Sequence, residues 1–134
     1  MPHQSLIPHI QLNVSAALNE DLRGGDLTAH LIPARQTATA RIISRQEAVL
    51  CGTLWFEECF FSLDPGCEVY WTAQEGAVIQ ANQQLCEIRG NARALLSAER
   101  SALNFLQTLS GTATLVRRYI EAVEIGRASC RERV

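Results

Sequence analysis

The chain contains no lysine, and all twelve of its basic residues are arginine. This absence excludes Schiff-base chemistry, a phosphate-binding loop built on lysine, and a carrier lysine that bears biotin or lipoate. The net charge is -2 and the pI is ≈ 5.9, so the composition does not indicate nucleic-acid binding. No apolar run approaches the roughly 20 residues of a membrane span, and no signal peptide is recognisable at the N-terminus. We therefore expect a cytoplasmic protein without nucleic-acid or membrane partners.

Metal-ligating patterns are also missing from the sequence. None of the five cysteines lies in a CxxC pair, and the three histidines do not fall at ligand spacing. Scattered cysteines in a chain of this kind are usually reduced and partly buried. We therefore predict no metal ligands and no catalytic residues among them. The 134 residues suffice for one domain with a modest core.

Hydrophobic periodicity predicts a mixture of strands and helices in the first two thirds of the chain, and thus an α+β fold. The strands are predicted at 37–45, 48–51 and 67–73. The helices are predicted at 6–22, with Pro8 in the first turn, at 27–32, capped by Asp26, and from Thr53 to a terminator at Asp64.

A segment rich in strong helix formers, from Asn91 to Val123, organises the chain. Asn91 is its predicted N-cap, and Ser110-Gly111-Thr112 is predicted to break it into two helices. One face is apolar, and the other carries polar residues three and four apart: Arg93, Ser97, Arg100, Asn104 and Gln107. Small neighbours leave the Arg100 guanidinium free to bind a carboxylate or phosphate. The alternative interpretation is an ordinary solvated helix face.

Three collinear motifs resemble the quinolinate phosphoribosyltransferase family. They are ALNEDLRGGDLTAHLIP (17–33), ARIISRQEAVLCGTLWFEECF (40–60) and LCEIRGNARALLSAERSALNFLQTLSGTAT (85–114). The resemblance implies an N-terminal α/β sandwich domain, a small sheet packed on helices, over residues 1–110. It also implies that residues 111–123 lead to a C-terminal α/β barrel that is missing here.

The resemblance further implies an activity for the complete enzyme. Quinolinate and 5-phosphoribosyl-1-pyrophosphate would give nicotinate mononucleotide, CO₂ and pyrophosphate, a step in NAD biosynthesis. The enzyme would be a homodimer, and Mg²⁺ would accompany the phosphoribosyl donor without ligands from this chain. Arg100, in the AERSALN motif, would bind a quinolinate carboxylate in the active site of the neighbouring subunit. We expect the 134-residue chain to be inactive by itself and poorly soluble.

Two other functions are compatible with parts of the pattern. One is a related phosphoribosyltransferase-like protein associated with molybdenum transport, and the other is a non-catalytic dimerisation domain. A biotinyl or lipoyl carrier domain would fit the turn residues between 75 and 85, but it needs the lysine that the chain lacks. Residues 124–134 read as an artefact, because IGRASCRERV (125–134) is one in-frame translation of a widely used sequencing adapter and Glu124 would straddle the junction.

Overall fold

The protein is described here by a computed structural model that covers residues 2–23 and 27–132. Along these residues the elements are α1 (Pro2–Leu22), α2 (Leu27–His30), β1 (Thr37–Ile43), β2 (Ala48–Val49), α3 (Thr53–Leu63), β3 (Glu68–Trp71), β4 (Val78–Ile79), β5 (Gln84–Asn91) and α4 (Ala92–Glu132). The arrangement confirms the α+β sandwich with a small sheet packed on helices. The predicted cap at Asp26 lies outside the described residues.

The larger sheet has β5 at its centre, paired antiparallel with β1 on one side and β3 on the other. Alternate residues of β1 are half-buried and exposed, which is the period of a strand with one covered face. On β5 the side chains of Cys86 and Ile88 are completely buried. A second, two-stranded sheet pairs β2 with β4, also antiparallel. The described strands therefore present one inner face to the helices.

The core lies between this inner face and three helices, because α3 packs against α4 and α1, and α1 also packs against α4. Phe56, at its centre, has its ring centroid 5.0 Å from that of Phe60 and 5.3 Å from that of Trp71. Offset and edge-on aromatic pairs of this kind add stabilisation beyond the buried area. The helix predicted from Thr53 to the terminator at Asp64 is confirmed as α3, and its residues Phe56, Cys59 and Phe60 are buried.

Helix α1 begins earlier than the sequence pattern predicts. It starts at Pro2, so Pro8 lies inside the helix and not in its first turn. A proline removes one intrahelical hydrogen bond because it has no N–H. The burial of Ile10, Val14 and Leu18 on the following turns holds the helix in place despite that loss.

The predicted break at Ser110-Gly111-Thr112 is wrong, because α4 is continuous from Ala92 to Glu132. The hydroxyl of Thr114 donates to the Ser110 carbonyl at 2.6 Å and that of Thr112 to the Thr108 carbonyl at 3.1 Å, so the polar side chains bond within the helix. Nothing lies within 4 Å of a Cβ placed on Gly111. The segment therefore continues the helix and does not cap it.

The same small side chains attach α4 to β2. The Val49 amide donates to the Thr114 hydroxyl at 2.9 Å, and the Cys51 amide donates to the Ser110 hydroxyl at 3.0 Å. Ser110 also donates to the Cys51 carbonyl at 3.0 Å. These bonds provide partners for the backbone amides of Val49 and Cys51, on the side of the chain that faces away from β4. The strand β2 ends at Val49, two residues before the predicted end at residue 51.

Asn91 joins the sheet to α4 and is the N-cap that the sequence predicts. Its side-chain oxygen accepts a hydrogen bond from the Ala94 amide at 3.1 Å. Its side-chain nitrogen donates to the Ala34 carbonyl at 2.7 Å, and its own amide donates to the Asp64 carboxylate at 2.9 Å. Three separate chain segments are thereby fixed at the start of α4.

Glu75 caps the start of α3, although it lies more than 20 residues further along the chain. Its two carboxylate oxygens accept hydrogen bonds from the amides of Gly52, at 2.8 Å, and Thr53, at 2.9 Å. These amides belong to the first turn, where a helix has no internal partners for its N–H groups. Gly52 adopts a φ of 98°, a backbone conformation that L side chains rarely take.

Candidate functional site

The polar face of α4 divides into residues used by the fold and residues that project into solvent. Arg93 belongs to the first group. Its Nε donates to the Ile32 carbonyl, and its Nη2 donates to the His30 carbonyl at 3.5 Å. A cation at the last carbonyls of a helix is favourable, so Arg93 fastens the end of α2 to α4. The structure thus assigns Arg93 a structural contact.

Ser101 lies next to this face and is also used by the fold. It is only 2 % exposed, and its hydroxyl donates to the Asp21 carboxylate at the end of α1. A hydrogen bond from a hydroxyl to a charged carboxylate is stronger than one between two neutral groups. The contact therefore fixes the end of α1 beside the middle of α4.

Arg100 is exposed, and within the described part of the chain it makes no hydrogen bond or ion pair. It precedes Ser101 directly, so the backbone from which it projects is held by the contact to α1. Asn104 and Gln107, which follow at helical spacing, are exposed as well. A rigid backbone with a free planar guanidinium is suited to binding a carboxylate. Both sequence interpretations, a substrate-binding arginine and a solvated charge, expect this exposure.

A cleft of ≈ 490 Å³ lies beside this face, between α1, α3 and α4. Its lining includes Asn13, Glu20 and Asp21 of α1, Trp55 of α3, and Asn104 and Phe105 of α4. Among the described residues that line it there is no arginine or histidine. The cleft is therefore acidic, whereas the adjoining end of the polar face, at Arg100, is basic.

The four cysteines whose side chains the structure describes contribute no reactive group to either feature. Burial is the main factor that raises the pKa of Cys59 and of Cys86 to about 12, and that of Cys67 to about 11. The pKa of Cys51 is also raised, first by burial and then by the hydrogen bond to Glu75. These thiols are protonated at neutral pH and are poor nucleophiles and poor metal ligands. Among the described residues, no three His, Cys, Asp or Glu side chains group closely enough to hold a metal ion.

The sequence missed the contact between Ser101 and Asp21, although both residues lie in motifs that it singled out. Asp21 is 80 positions away from Ser101, and helical periodicity does not indicate which helix faces α4. The acidic cleft was missed for the same reason. Arg100 could be named as a candidate from its local pattern and the motif around it, and its role stays a prediction.

Comparison with known families matches residues 26–110 to the N-terminal domain of quinolinate phosphoribosyl transferase. A nicotinate-nucleotide pyrophosphorylase (carboxylating) of Mycobacterium leprae is 34% identical over 124 residues, which are 89% of this chain and 43% of that protein. A protein of Bacillus subtilis, named as a probable enzyme of the same kind, is 32% identical over 118 residues, 87% of this chain and 41% of its own length.

A solved structure with the same architecture is the nicotinate-nucleotide pyrophosphorylase from Francisella tularensis. It superposes with a TM-score of 0.81 at 36% identity, over 86% of this chain and 41% of that one. The chain therefore spans about two fifths of the length of the proteins it matches. None of the described helices is both long and apolar enough to cross a membrane.

Proposed function

The chain belongs to the quinolinate phosphoribosyltransferase family, and from this premise we propose that it is the N-terminal part of an enzyme of NAD biosynthesis. The complete enzyme converts quinolinate and 5-phosphoribosyl-1-pyrophosphate into nicotinate mononucleotide, CO₂ and pyrophosphate. The names and lengths of the relatives support this assignment. Their names state the enzyme activity, and the chain matches about two fifths of the length of each.

The chemistry defines what a binding site must provide. The ring nitrogen of quinolinate attacks the anomeric carbon of the phosphoribosyl donor, and pyrophosphate leaves. The pyridinium nitrogen then stabilises the negative charge that develops on the ring carbon as the neighbouring carboxylate is lost as CO₂, and that carbon takes up a proton to give the product. Quinolinate is a dianion and its co-substrate a polyanion, so fixed positive charges are needed around both.

We assign one of these charges to Arg100, acting in the active site of the neighbouring subunit of a homodimer. The observation that carries this proposal is an exposed guanidinium on a backbone fixed by the contact between Ser101 and Asp21. The planar fork can bind a carboxylate with two parallel hydrogen bonds. A hydrogen bond to a charged group contributes roughly 1.5–3 kcal/mol. Its loss should therefore lower kcat/KM for quinolinate at least about tenfold.

Mg²⁺ is expected to accompany the phosphoribosyl donor in the complete enzyme. The described residues of this chain offer no group of three ligands for it, so no step is assigned to the metal here. The catalytic residues and the donor site are likewise assigned to the part of the enzyme beyond this domain. A cytoplasmic location stays a prediction.

A chimaera tests the proposal. The domain would be joined within α4, at the aligned position, to the remaining part of the Bacillus subtilis relative, and formation of nicotinate mononucleotide from quinolinate would be measured. We expect activity in the chimaera and none in the 134-residue chain alone. A folded, dimeric chimaera without turnover would favour a non-catalytic dimerisation domain.

Substitutions in the chimaera test the role of Arg100. Arg100→Ala should lower kcat/KM for quinolinate at least about tenfold, and Arg100→Lys should also be impaired because a point charge lacks the planar fork. Arg45→Ala is the matched control, since Arg45 is also an exposed arginine but lies in the loop after β1. Equal kinetics in all these variants would refute the assignment to Arg100.

A further inference from the structure

The cleft between α1, α3 and α4 has the size and composition of a small-molecule site. Its volume of ≈ 490 Å³ lies within the range of roughly 300–1,000 Å³ that is usual for ligand pockets. The walls include two half-buried aromatic side chains, Trp55 and Phe105, and the rim carries the amide groups of Asn13 and Asn104. Aromatic side chains together with a few polar groups are typical of such sites.

The charge of the cleft selects the kind of ligand. Glu20 and Asp21 both line it, and neither forms an ion pair within the described part of the chain. The buried hydroxyl of Ser101 donates to Asp21, which fixes that carboxylate at the cleft. An anion such as quinolinate would be repelled here, so this cleft is not an extension of the site assigned to Arg100.

We propose that the cleft binds a small organic cation in which a guanidinium, amidinium or ammonium group is attached to a flat apolar body. The carboxylates of Glu20 and Asp21 pair with the cationic group, and the amide oxygens at the rim accept its remaining hydrogen bonds. Trp55 and Phe105 contact the apolar body, and their ring faces attract positive charge. This site is independent of the reaction proposed above.

Benzamidine is a suitable probe, because it is a flat aromatic amidinium, and benzamide is its uncharged counterpart. The 134-residue chain, at a concentration low enough to keep it in solution, would be titrated with each compound while the two indole N–H signals are followed by NMR. Trp71 provides an internal reference, since its indole N–H donates to Glu57 and the residue does not line the cleft. Benzamidine should shift the Trp55 signal saturably and bind at least about tenfold more tightly than benzamide.

Two conservative substitutions locate the site. Asp21→Asn keeps an oxygen that can accept the Ser101 hydrogen bond, and Glu20→Gln keeps the shape of its side chain. The double variant should bind benzamidine about tenfold more weakly, with the benzamide affinity unchanged. Glu47→Gln is the matched control, because Glu47 is an exposed glutamate outside the cleft. It should bind benzamidine as the wild type does.

Three results would overturn the proposal. Equal binding of benzamidine and benzamide to the wild type would show that the positive charge does not contribute to binding. This measurement needs no variant. A shift of the Trp71 signal in place of the Trp55 signal would put the probe elsewhere. If benzamidine instead converts a dimer into monomers in sedimentation experiments, the cleft holds a basic side chain of a second copy and is not a site for a free cation.

Discussion

At the scale of single residues, two glycines of this domain have opposite environments. Gly52 has a positive φ of 98°, and a Cβ placed on it would lie 2.8 Å from Cδ1 of Leu109. Gly111 lies inside α4, and a Cβ there would meet nothing within 4 Å. Glycine is required at position 52 because of the positive φ and the close approach of Leu109. At position 111 glycine has no such role and only lowers the stability of the helix.

We therefore expect Gly52→Ala and Gly111→Ala to change stability in opposite directions. Gly52→Ala should lower the free energy of unfolding by roughly 1–3 kcal/mol, because alanine is strained at this φ and crowds Leu109. Gly111→Ala should raise it by about 0.5–1 kcal/mol. Urea denaturation of both variants measures these changes. Equal effects in the two variants would contradict the assigned environments.

Glu75 makes the stability of the domain depend on pH. Burial acts to raise the pKa of Glu75, but hydrogen bonds from Thr53 and Gly52 outweigh it, and the pKa is lowered. A group with a lowered folded-state pKa stabilises the fold above its unfolded-state pKa, and this stabilisation is lost as the pH falls through the folded-state value. Its loss is therefore expected on the acidic side of the ordinary glutamate pKa.

Glu75→Gln should lower the free energy of unfolding by roughly 1 kcal/mol at pH 7, because a neutral cap interacts more weakly with the start of α3. The difference from the wild type should shrink as the pH falls below the ordinary glutamate pKa and the wild-type carboxylate also gains its proton. Denaturation curves at several pH values measure this. Glu47→Gln, at an exposed loop position, is the control and should run parallel to the wild type throughout.

At the scale of whole elements, the attachment of α4 to β2 depends on two hydroxyls. Thr114→Val keeps the shape of the side chain but leaves the Val49 amide without the partner that it has at 2.9 Å. An unsatisfied donor of this kind destabilises by roughly 1–3 kcal/mol. Thr112→Val is the matched control, because the Thr112 hydroxyl bonds only to a carbonyl of its own helix.

Amide hydrogen exchange distinguishes a local from a general effect in these variants. In Thr114→Val the amide of Val49 should exchange faster than in the wild type by more than the global stability change explains. In Thr112→Val its exchange should be unchanged. Slow exchange of Val49 in both variants would mean that the hydroxyl of Thr114 does not hold the strand.

The limits of sequence prediction are also clearest at this scale. The strands β1 and β3 and the helix α3 were predicted close to their observed positions, because their hydrophobic periods are local properties of the chain. The break at 110–112 was wrong, because serine, glycine and threonine are common helix terminators. Whether they end a helix here depends on β2, which lies 59 to 65 positions away along the chain. A local pattern carries no information about such a partner.

At the scale of the whole molecule, the second half of α4 bears an uncovered apolar surface. Leu115 is 67% exposed, Tyr119 72% and Ile120 49%. An apolar surface of this kind promotes association in water. We therefore expect the chain alone to be poorly soluble, as the sequence also predicts.

Replacing Leu115 and Tyr119 together by glutamate should reduce light scattering at a given concentration without lowering the thermal stability. Leu12→Glu is the control, because Leu12 is equally exposed, at 70%, but lies on α1. It should change light scattering much less than the double variant. A larger effect from Leu12 would place the associating surface on α1.

Function at this scale could be predicted only in part from the sequence. The family and fold followed from three motifs in order, and the family match and the solved relative confirm them. The role of Arg100, the boundaries at residues 110 and 123, and the origin of residues 124–134 stay predictions. Reading the source gene through the codon for Val123 tests the adapter interpretation directly.

The hydrogen bonds between α4 and β2 have one more consequence. A short strand with one unpaired side is open to strand addition, in which a foreign peptide or another chain extends the sheet. The hydroxyls of Ser110 and Thr114 occupy the amides of Cys51 and Val49 that such a strand would have to engage. A helix, by offering side-chain oxygens in place of a neighbouring backbone, thus protects this edge from templated growth.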